Sequence, residues 1–410
     1  MGVISIDTIR RLGSPASRGE RTRWRLIALA LFLIATPLHA AQAFETSAPT
    51  AILIDSGTGR VLYEKNADEE IPPASLAKLM TVAVIFDALK AGTVTRDQEF
   101  EVSEYAWRTG GAPSGSSTMF LKPHSRVSLA DLIKGIIIQS GNDATIVAAQ
   151  GIAGSVDAFV AKMNAEAKTI GLTHSHFTNP SGLPDPDLHV TVRDLAKLAG
   201  YLINTFPEEY HLFSEESFTY NGIRQRNRNP LLALGADGLK TGHTEEAGFG
   251  LVASAKKDGR RIVFAMAGLQ TAAEREREGR RMMDYGLQDF EEVTLVSADK
   301  PVGEAVVRDG SSDTVPLVAR NDLSLLVPRG SLSDVKRTIV TNGPFPAPVA
   351  KGQRLGWARF AKGDETVRQV PLYAGEAVPR VGLIWRIGST IARQLTWHPR
   401  PAATELAGAQ

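Results

Sequence analysis

Three short strings in a fixed order place the strongest constraint on this chain, because their side chains make chemical sense only together. The strings are Ser75-x-x-Lys78, Ser140-x-Asn142 and Lys240-Thr241-Gly242. A serine hydroxyl is a weak nucleophile at neutral pH, and a lysine can act as its base where burial or a neighbouring cation lowers the lysine pKa. The fold must therefore bring distant segments into one cleft, and the chain is predicted to acylate its own serine.

The setting of Ser75 separates it from the other Ser-x-x-Lys matches in the chain. Two prolines precede an apolar stretch, residues 76–91, that ends at Gly92. This pattern predicts a buried helix with proline in its first turn and glycine just past its end. Residues three apart on a helix share a face, so Lys78 is expected within reach of the Ser75 hydroxyl. The other matches lie in a strand pattern or in polar turns, at Ser254, Ser297 and Ser333.

Ser140 lies at a break between two helical patterns, residues 129–138 and 143–153. A short loop there can project a hydroxyl and an amide into a cleft, whereas a serine inside a helix would bond its own backbone. The alternative interpretation is that Asn142 simply caps the second helix.

For the third string, strands are predicted at residues 239–244, 248–255 and 261–267. Gly242 on the first of these strands indicates close approach by a ligand or another backbone.

With these strings in place, the chain resembles the D-alanyl-D-alanine carboxypeptidases, the low-molecular-mass penicillin-binding proteins, whose mark is this order of motifs. The likeness extends over residues 44–397. The similar segments are 72–81 (PPASLAKLMT), 115–121 (GSSTMFL), 179–184 (NPSGLP), 237–244 (DGLKTGHT) and 247–254 (AGFGLVAS). The resemblance implies a serine-type enzyme that removes the terminal D-alanine from peptidoglycan pentapeptide stems through an acyl-enzyme on Ser75. It also implies covalent inhibition by β-lactam antibiotics.

The chemistry and the resemblance together assign roles at the catalytic centre. Ser75 is the expected nucleophile and Lys78 its base, with a pKa lowered by the apolar helix and by the charge of Lys240. The resemblance implies that Ser140 relays a proton to the leaving amine and that Asn142 hydrogen-bonds the substrate peptide. Which lysine or serine acts as the base is left open at this point.

Substrate binding is assigned in the same way. Lys240 and Thr241 would hold the terminal carboxylate of the peptide. The resemblance adds Arg228 on the carboxylate side, with the alternative that it is a solvated charge in an arginine-rich stretch. It also places the oxyanion hole at the backbone N–H groups of Ser75 and His243, next to Gly242. The imidazole of His243 is expected to be a strand-edge side chain without a catalytic role.

Two other functions are weighed against this one. A serine β-lactamase needs fast deacylation, for which class A enzymes use a glutamate acting through a water. No glutamate followed three residues later by asparagine occurs between Ser140 and Lys240; the nearest acidic pair is Glu208 and Glu209, so slow penicillin hydrolysis is expected. The second alternative is a module that binds penicillin or peptidoglycan without turnover, which the complete set of polar groups disfavours.

Composition and targeting features fit an exported enzyme. The 410 residues, 43% hydrophobic and 22% charged, can bury full cores in about two domains, and a net charge of +1 gives no case for nucleic acid. Residues 1–43 combine a basic start, an apolar run and a small-x-small end, which predicts a signal peptide. The absence of cysteine excludes a thiol nucleophile. His174 and His176 lack a third ligand at helical spacing, and no metal or organic cofactor is expected.

The expected fold class is α/β. Residues 44–290 are predicted to form a serine β-lactamase/transpeptidase-like catalytic domain, with an antiparallel sheet flanked by helices plus a helical region. Residues 291–377, rich in short alternating runs, predict a small all-β sandwich. Residues 378–397 predict an amphipathic helix on the membrane surface, and residues 398–410 a disordered tail. The expected location is the periplasm, with peripheral attachment to the outer face of the cytoplasmic membrane.

Overall fold

The structure is a computed structural model that describes residues 44–382. The chain divides into two units, Met1–Glu45 and Thr46–Gln410, and of the first unit only residues 44 and 45 are described. The predicted signal peptide (residues 1–43), residues 383–397 of the predicted membrane helix and the predicted tail (398–410) lie outside the described residues.

A five-stranded antiparallel sheet forms the framework of the N-terminal part. Its strands are β1 (Thr50–Asp55), β2 (Val61–Lys65), β7 (Ala236–Thr244), β8 (Gly248–Lys257) and β9 (Arg260–Leu269). Their order is β2-β1-β9-β8-β7, so the N-terminal hairpin joins strands from much later in the chain. The register sets Leu53 opposite Phe264 and Lys240 opposite Val252. The strand that carries Lys240 therefore lies at one edge of the sheet.

Helices cover this sheet and form a second, helical region. They are α1 (Lys78–Lys90), α2 (Glu104–Gly110), α3 (Leu129–Lys134), α4 (Asn142–Ala153), α5 (Val156–Ile170), α6 (Val192–Thr205), α7 (Pro207–Tyr210) and α8 (Ala272–Gln288). Five of them begin where a hydroxyl accepts a backbone N–H three residues on, which satisfies an otherwise unpaired donor. These N-caps are Ser103, Ser128, Ser155, Thr191 and Thr271.

Helix α1 is the centre of the main core. All of its residues from Lys78 to Phe86 are buried, and it packs against α4, α5 and α6. Apart from Lys78 and Thr81 this stretch is apolar on all sides, and such a helix has to lie in the interior. The Phe86 ring meets the rings of Phe206 and Phe213 edge-on at 5.5 and 6.5 Å. These contacts hold the second half of α1 in the core.

Two small antiparallel strand pairs complete this part. Strands β3 (Glu99–Glu101) and β4 (Arg126–Ser128) pair antiparallel, as do β5 (Ser217–Tyr220) and β6 (Ile223–Arg226). The second pair is tied to the helical region because the side-chain amide of Gln225 donates to the carbonyl of Met119 at 3.1 Å.

The C-terminal part is all β. Its strands are β10 (Phe290–Val296), β11 (Pro301–Arg308), β12 (Thr314–Val318), β13 (Leu323–Pro328), β14 (Val335–Thr341), β15 (Phe345–Pro346), β16 (Arg354–Lys362) and β17 (Glu365–Ala374). A six-stranded sheet, β14-β16-β17-β12-β11-β15, and a two-stranded sheet, β10-β13, share a core that includes Val315, Leu317 and Leu372. The predicted fold class, α/β followed by a small all-β part, is confirmed.

The predicted C-terminal helix does not begin at residue 378. Val378 forms a bridge with Val349, and Arg380 forms a bridge with Gly310, so this stretch is extended. The backbone of residues 378–380 is thus held by the β structure, which corrects the predicted boundary. Among residues 44–382, no single helix is long and apolar enough to span a bilayer, although α4 and α5, bent by 87°, pass that test together.

Candidate active site

The nucleophile turn is a 3₁₀ turn, Ala74–Ala77, that runs directly into α1. Ala74 adopts a positive φ of 48°, which turns the chain sharply into the helix. Ser75 is partly exposed, whereas Lys78, one turn on, is fully buried. The predicted contact is confirmed, because Lys78 Nζ lies 3.0 Å from Ser75 Oγ.

Three oxygen atoms surround the amino group of Lys78. Besides Ser75 Oγ, they are Asn142 Oδ1 at 2.6 Å and the backbone carbonyl of Ser181. Burial, together with the charge of Arg228, lowers the pKa of Lys78 to about 7, against the opposing effect of the Asp143 carboxylate. A large fraction of Lys78 is therefore neutral near neutral pH and able to accept a proton.

Ser140 and Asn142 project from the junction between two helices. A π-helical turn, Gly135–Gln139, follows α3 and ends at Ser140, whose φ is 66°. Asn142 is the first residue of α4, and Gly141 occupies the N-cap position. The Asn142 side chain reaches away from its own helix, to Lys78 and to Ser116 Oγ at 2.9 Å. The alternative interpretation of Asn142 as a simple helix cap is therefore wrong.

Lys240 comes to the same cleft from the edge strand β7. Its Nζ donates to Ser140 Oγ at 3.0 Å and to the carbonyl of Thr241 at 2.8 Å. Burial lowers the pKa of Lys240 well below its ordinary value, and the charges of Lys78, Arg228 and Arg275 act in the same direction. Because repulsion between two cations is mutual, the charge of Lys240 also disfavours the charged form of Lys78, and Arg228 is a further cation that lowers the pKa of Lys78.

Gly242 lets the edge strand approach the nucleophile turn. A Cβ at this position would lie 3.0 Å from Leu76 Cγ and 3.1 Å from the Pro73 carbonyl oxygen. The predicted close backbone approach is confirmed. His243, the next residue, is exposed, and its ring stacks on Phe249 with 3.8 Å between the ring centroids.

Arg228 belongs to the cleft even though its side chain is exposed. Its Nη1 donates to Ser117 Oγ at 2.7 Å, and the Ser117 carbonyl accepts the backbone N–H of Asn142 at 2.7 Å. Its charge also lowers the pKa of both Lys78 and Lys240. The hydrogen bond to Ser117 and the effect on the two lysine pKa values disfavour the alternative that Arg228 is only a solvated surface charge.

Two features of the site were not assigned from the sequence. Asp143 is fully buried and accepts hydrogen bonds from Thr118 Oγ1 at 2.5 Å, Met119 N at 2.9 Å and Leu121 N at 3.1 Å. It thereby fixes the segment that carries Ser116 and Ser117, the hydrogen-bond partners of Asn142 and Arg228. The second feature is the loop formed by residues 179–183, which supplies the Ser181 carbonyl. Its Asn-Pro-Ser-Gly composition is a turn signal that could have directed attention to it.

The remaining candidates lie elsewhere. Glu209 is on α7 and forms an ion pair with Arg96. His176 pairs with His189 in an isolated bridge, and their ring centroids are 6.0 Å apart. Within residues 44–382 no group of three or more His, Cys, Asp or Glu side chains is arranged to hold a metal ion.

Comparison with protein families gives two consecutive matches. Residues 37–271 match the family described as D-alanyl-D-alanine carboxypeptidase, peptidase S11. Residues 290–380 match the family described as penicillin-binding protein 5, C-terminal domain. The first match alone covers more than half of the chain.

Curated relatives and solved structures agree with these matches. The chain is 40% identical to D-alanyl-D-alanine carboxypeptidase DacA of Escherichia coli K12 over 348 residues, 84% of this chain and 86% of the relative. It is 41% identical to DacC of the same organism over 366 residues, 87% and 92% of the two chains. Penicillin-binding protein 5 from Haemophilus influenzae has a similar structure, with a TM-score of 0.65, 37% identity and coverage of 82% of this chain and 99% of that one.

The role of Asp143 can be tested by removing its carboxylate. Asp143→Ala leaves the Thr118 hydroxyl and two backbone N–H groups without their acceptor, and each buried unsatisfied group costs about 1–3 kcal/mol. We therefore expect urea unfolding to show a loss of at least about 3 kcal/mol. Asp131→Ala, at a half-buried position whose carboxylate accepts from Ser128, is the matched control with an expected loss below about 1 kcal/mol. Equal losses in the two variants would contradict this role.

Proposed function

The chain belongs to the D-alanyl-D-alanine carboxypeptidase family, and we propose that it uses Ser75 to remove the terminal D-alanine from peptidoglycan pentapeptide stems. It is a serine-type D-Ala-D-Ala carboxypeptidase, a hydrolase of the penicillin-binding protein class. The observation that carries the residue assignment is the 3.0 Å contact between Ser75 Oγ and the buried Lys78 amine, whose pKa is lowered to about 7.

In the acylation step Ser75 Oγ attacks the carbonyl carbon of the penultimate D-alanine. The O–H bond of Ser75 breaks as its proton passes to the neutral Lys78 Nζ, and an Oγ–C bond forms. The negative charge that develops on the carbonyl oxygen is taken up by the backbone N–H groups of Ser75 and His243. Gly242 supports this arrangement because it allows the edge strand to lie directly against the nucleophile turn.

Collapse of the tetrahedral intermediate breaks the peptide C–N bond. The leaving nitrogen needs a proton, which we assign to the Ser140 hydroxyl. The Ser140 oxygen lies 3.0 Å from Lys240 Nζ, so Lys240 can replace the proton that Ser140 gives up. Free D-alanine leaves. A water then adds to the acyl carbon and gives its proton to the neutral Lys240, and the Oγ–C bond breaks as Lys78 returns its proton to Ser75, which releases the shortened stem.

The requirement for a C-terminal residue follows from the cations around the cleft. Lys240, Thr241 and Arg228 can hold a terminal carboxylate, since charge-assisted hydrogen bonds are stronger than neutral ones. That carboxylate would also supply the negative charge that favours the protonated form of Lys240. Asn142 has its Nδ2 directed to Ser116, at the same loop, and can exchange that bond for one to the substrate peptide.

β-Lactam antibiotics are expected to acylate the same serine. Ring opening forms the same Oγ–C bond, but the expelled nitrogen stays attached to the acyl group and continues to occupy the D-alanine position. Hydrolysis of this adduct is therefore expected to be slow, which distinguishes the protein from a β-lactamase.

The domain organisation and location are part of the proposal. We assign residues 1–43 to a signal peptide, 44–290 to the catalytic domain and 291–377 to the all-β domain. The segment that follows residue 380, up to residue 397, would attach the enzyme to the outer face of the cytoplasmic membrane. Support comes from the sequence pattern, in which an apolar stripe is accompanied by Trp385, Arg386, Arg393 and Trp397.

The activity is tested with a diacetyl-lysyl-D-alanyl-D-alanine peptide and the mature chain, residues 44–410. We expect release of D-alanine that is lost in Ser75→Ala, because that variant has no nucleophile. Incubation with penicillin followed by mass spectrometry should locate the adduct on the peptide that contains Ser75. Fast penicillin turnover without D-alanine release would indicate a β-lactamase, and a stable adduct without release would indicate a binding module.

Recognition of the carboxylate is tested with Arg228→Gln. One lost charge-assisted hydrogen bond is worth about 1.5–3 kcal/mol, so kcat/KM for the peptide is expected to fall about 10- to 100-fold. Arg224→Gln is the matched control, because Arg224 is an exposed arginine on β6 that contacts Ser217. We expect its kcat/KM to stay within about twofold of the native value. The same loss in both variants would refute a specific role for Arg228.

Membrane attachment is tested by sedimentation with vesicles of anionic lipid. The chain from residue 44 to 410 is expected to pellet with the vesicles, and more weakly as salt is raised, because each basic residue near the surface contributes about 1 kcal/mol of screened attraction. The double variant Trp385→Ser and Trp397→Ser should remain in the supernatant. Equal pelleting of both proteins would contradict the assignment.

A further inference from the structure

The loop of residues 179–183 holds the nucleophile turn through three contacts. The Ser181 carbonyl accepts from Lys78 Nζ, and the Pro180 carbonyl accepts from Thr81 Oγ1 at 2.6 Å. Gly182, with a φ of 75°, lies so close to the turn that a Cβ there would be 1.8 Å from the Ala74 carbonyl oxygen. The position of this loop and the position of the catalytic amine are therefore coupled.

A single side chain fixes the shape of that loop. Asn179 Oδ1 accepts hydrogen bonds from the backbone N–H groups of Ser181, Gly182 and Leu183 at 3.1, 2.8 and 3.2 Å. It also accepts the Ser181 hydroxyl at 2.8 Å, and its Nδ2 donates to the Leu183 carbonyl at 3.0 Å. The direction of the Ser181 carbonyl is thus set by the Asn179 side chain.

The consequence appears when the protons of Lys78 are counted. A neutral amine has two N–H bonds and one lone pair. The Ser181 carbonyl can only accept, and Asn142 presents its Oδ1 to Lys78 while its Nδ2 is bonded to Ser116. If both N–H bonds point at these two oxygens, the lone pair is left facing the Ser75 hydroxyl, which is the orientation that proton transfer requires.

We propose that Asn179 is a positioning residue for acylation, which holds the Ser181 carbonyl so that the lone pair of Lys78 faces Ser75. The inference rests on the proposed function. In the step concerned, the Ser75 O–H bond breaks and an N–H bond forms on Lys78, while the Oγ–C bond to the substrate carbonyl carbon forms. Asn179 touches neither the substrate nor the reacting atoms; it acts through the Ser181 backbone.

Asn164 offers a matched comparison. This asparagine on α5 also clamps a backbone, with Nδ2 donating to the Phe177 carbonyl at 2.7 Å and Oδ1 accepting from Phe177 N at 3.0 Å. It fixes the beginning of the same stretch, two residues before Asn179, through contacts with Phe177. Asn164→Ala therefore shows how much acylation changes when an asparagine that only holds the backbone near this loop is removed.

The test is single-turnover acylation by penicillin at pH 9, where Lys78 is neutral and its protonation does not limit the rate. For Asn179→Ala we expect the acylation rate constant to fall about 10- to 100-fold, because misplaced catalytic groups cost this much. The penicillin concentration giving half the maximal rate should change by less than about threefold. For Asn164→Ala we expect an unchanged rate constant, whatever fraction of the protein is folded, because unfolded protein lowers only the amount of adduct formed.

Asn179→Asp provides the rescue. Its carboxylate can accept the same four donors but cannot make the Nδ2 bonds to the Leu183 carbonyl and, at 3.4 Å, to Thr178 Oγ1, so we expect its acylation rate constant within about threefold of the native one. Asn179→Ser, which keeps one short acceptor, should be intermediate and replaces Asn179→Ala in the comparison if that variant does not fold. The proposal is overturned if the alanine or serine variant acylates at the native rate, or if Asn179→Asp is as slow as they are. Failure of the proposed function would appear differently, as no adduct in the native protein or an adduct that persists in Ser75→Ala.

Discussion

The structure depends on one constraint: the amino group of Lys78 has to be buried and still have hydrogen-bond partners. A lysine in an apolar interior is costly when charged, and the pKa of Lys78 falls to about 7 as a result. The same burial removes water that would otherwise compete for its lone pair. Three oxygens, from the nucleophile turn, the start of α4 and the loop of residues 179–183, complete its environment. The burial of Lys78 is unfavourable for folding, and the same burial gives Ser75 a neutral base at neutral pH.

The rest of the architecture can be understood as the means of meeting that constraint. From Leu79 to Phe86 helix α1 is apolar except for Thr81, so other elements have to enclose it and bring their polar groups to its first turn. The edge strand β7 brings Lys240, and the π-helical turn after α3 releases Ser140 at a positive φ. Gly182 and Gly242 let two further backbones approach the turn more closely than a side chain would allow. Asp143 then anchors the segment that faces the cleft.

The local part of this arrangement could be predicted from the sequence, whereas much of the long-range part could not. The contact between Ser75 and Lys78 follows from a spacing of three residues on a helix, and the strands around Lys240 follow from their apolar patterns. The effect of Arg228 on the pKa of Lys78 was not predicted, because Arg228 reaches the cleft through tertiary packing that no spacing encodes. From the sequence alone Asn142 also fits the pattern of a helix cap, and only its contact with Lys78 across the cleft decides between the two interpretations.

The most direct test of this account is the pKa of Lys78 in the folded enzyme. The protein labelled with ¹³C at the lysine Cε position can be titrated by NMR, with the signal of Lys78 identified by its loss in Lys78→Arg. The account predicts a midpoint of about 7, so the amine is largely neutral at pH 8 and takes the Ser75 proton there. A midpoint close to the ordinary lysine value of 10.5 would mean that Lys78 stays charged in the cleft, and it would contradict the assignment of Lys78 as the base.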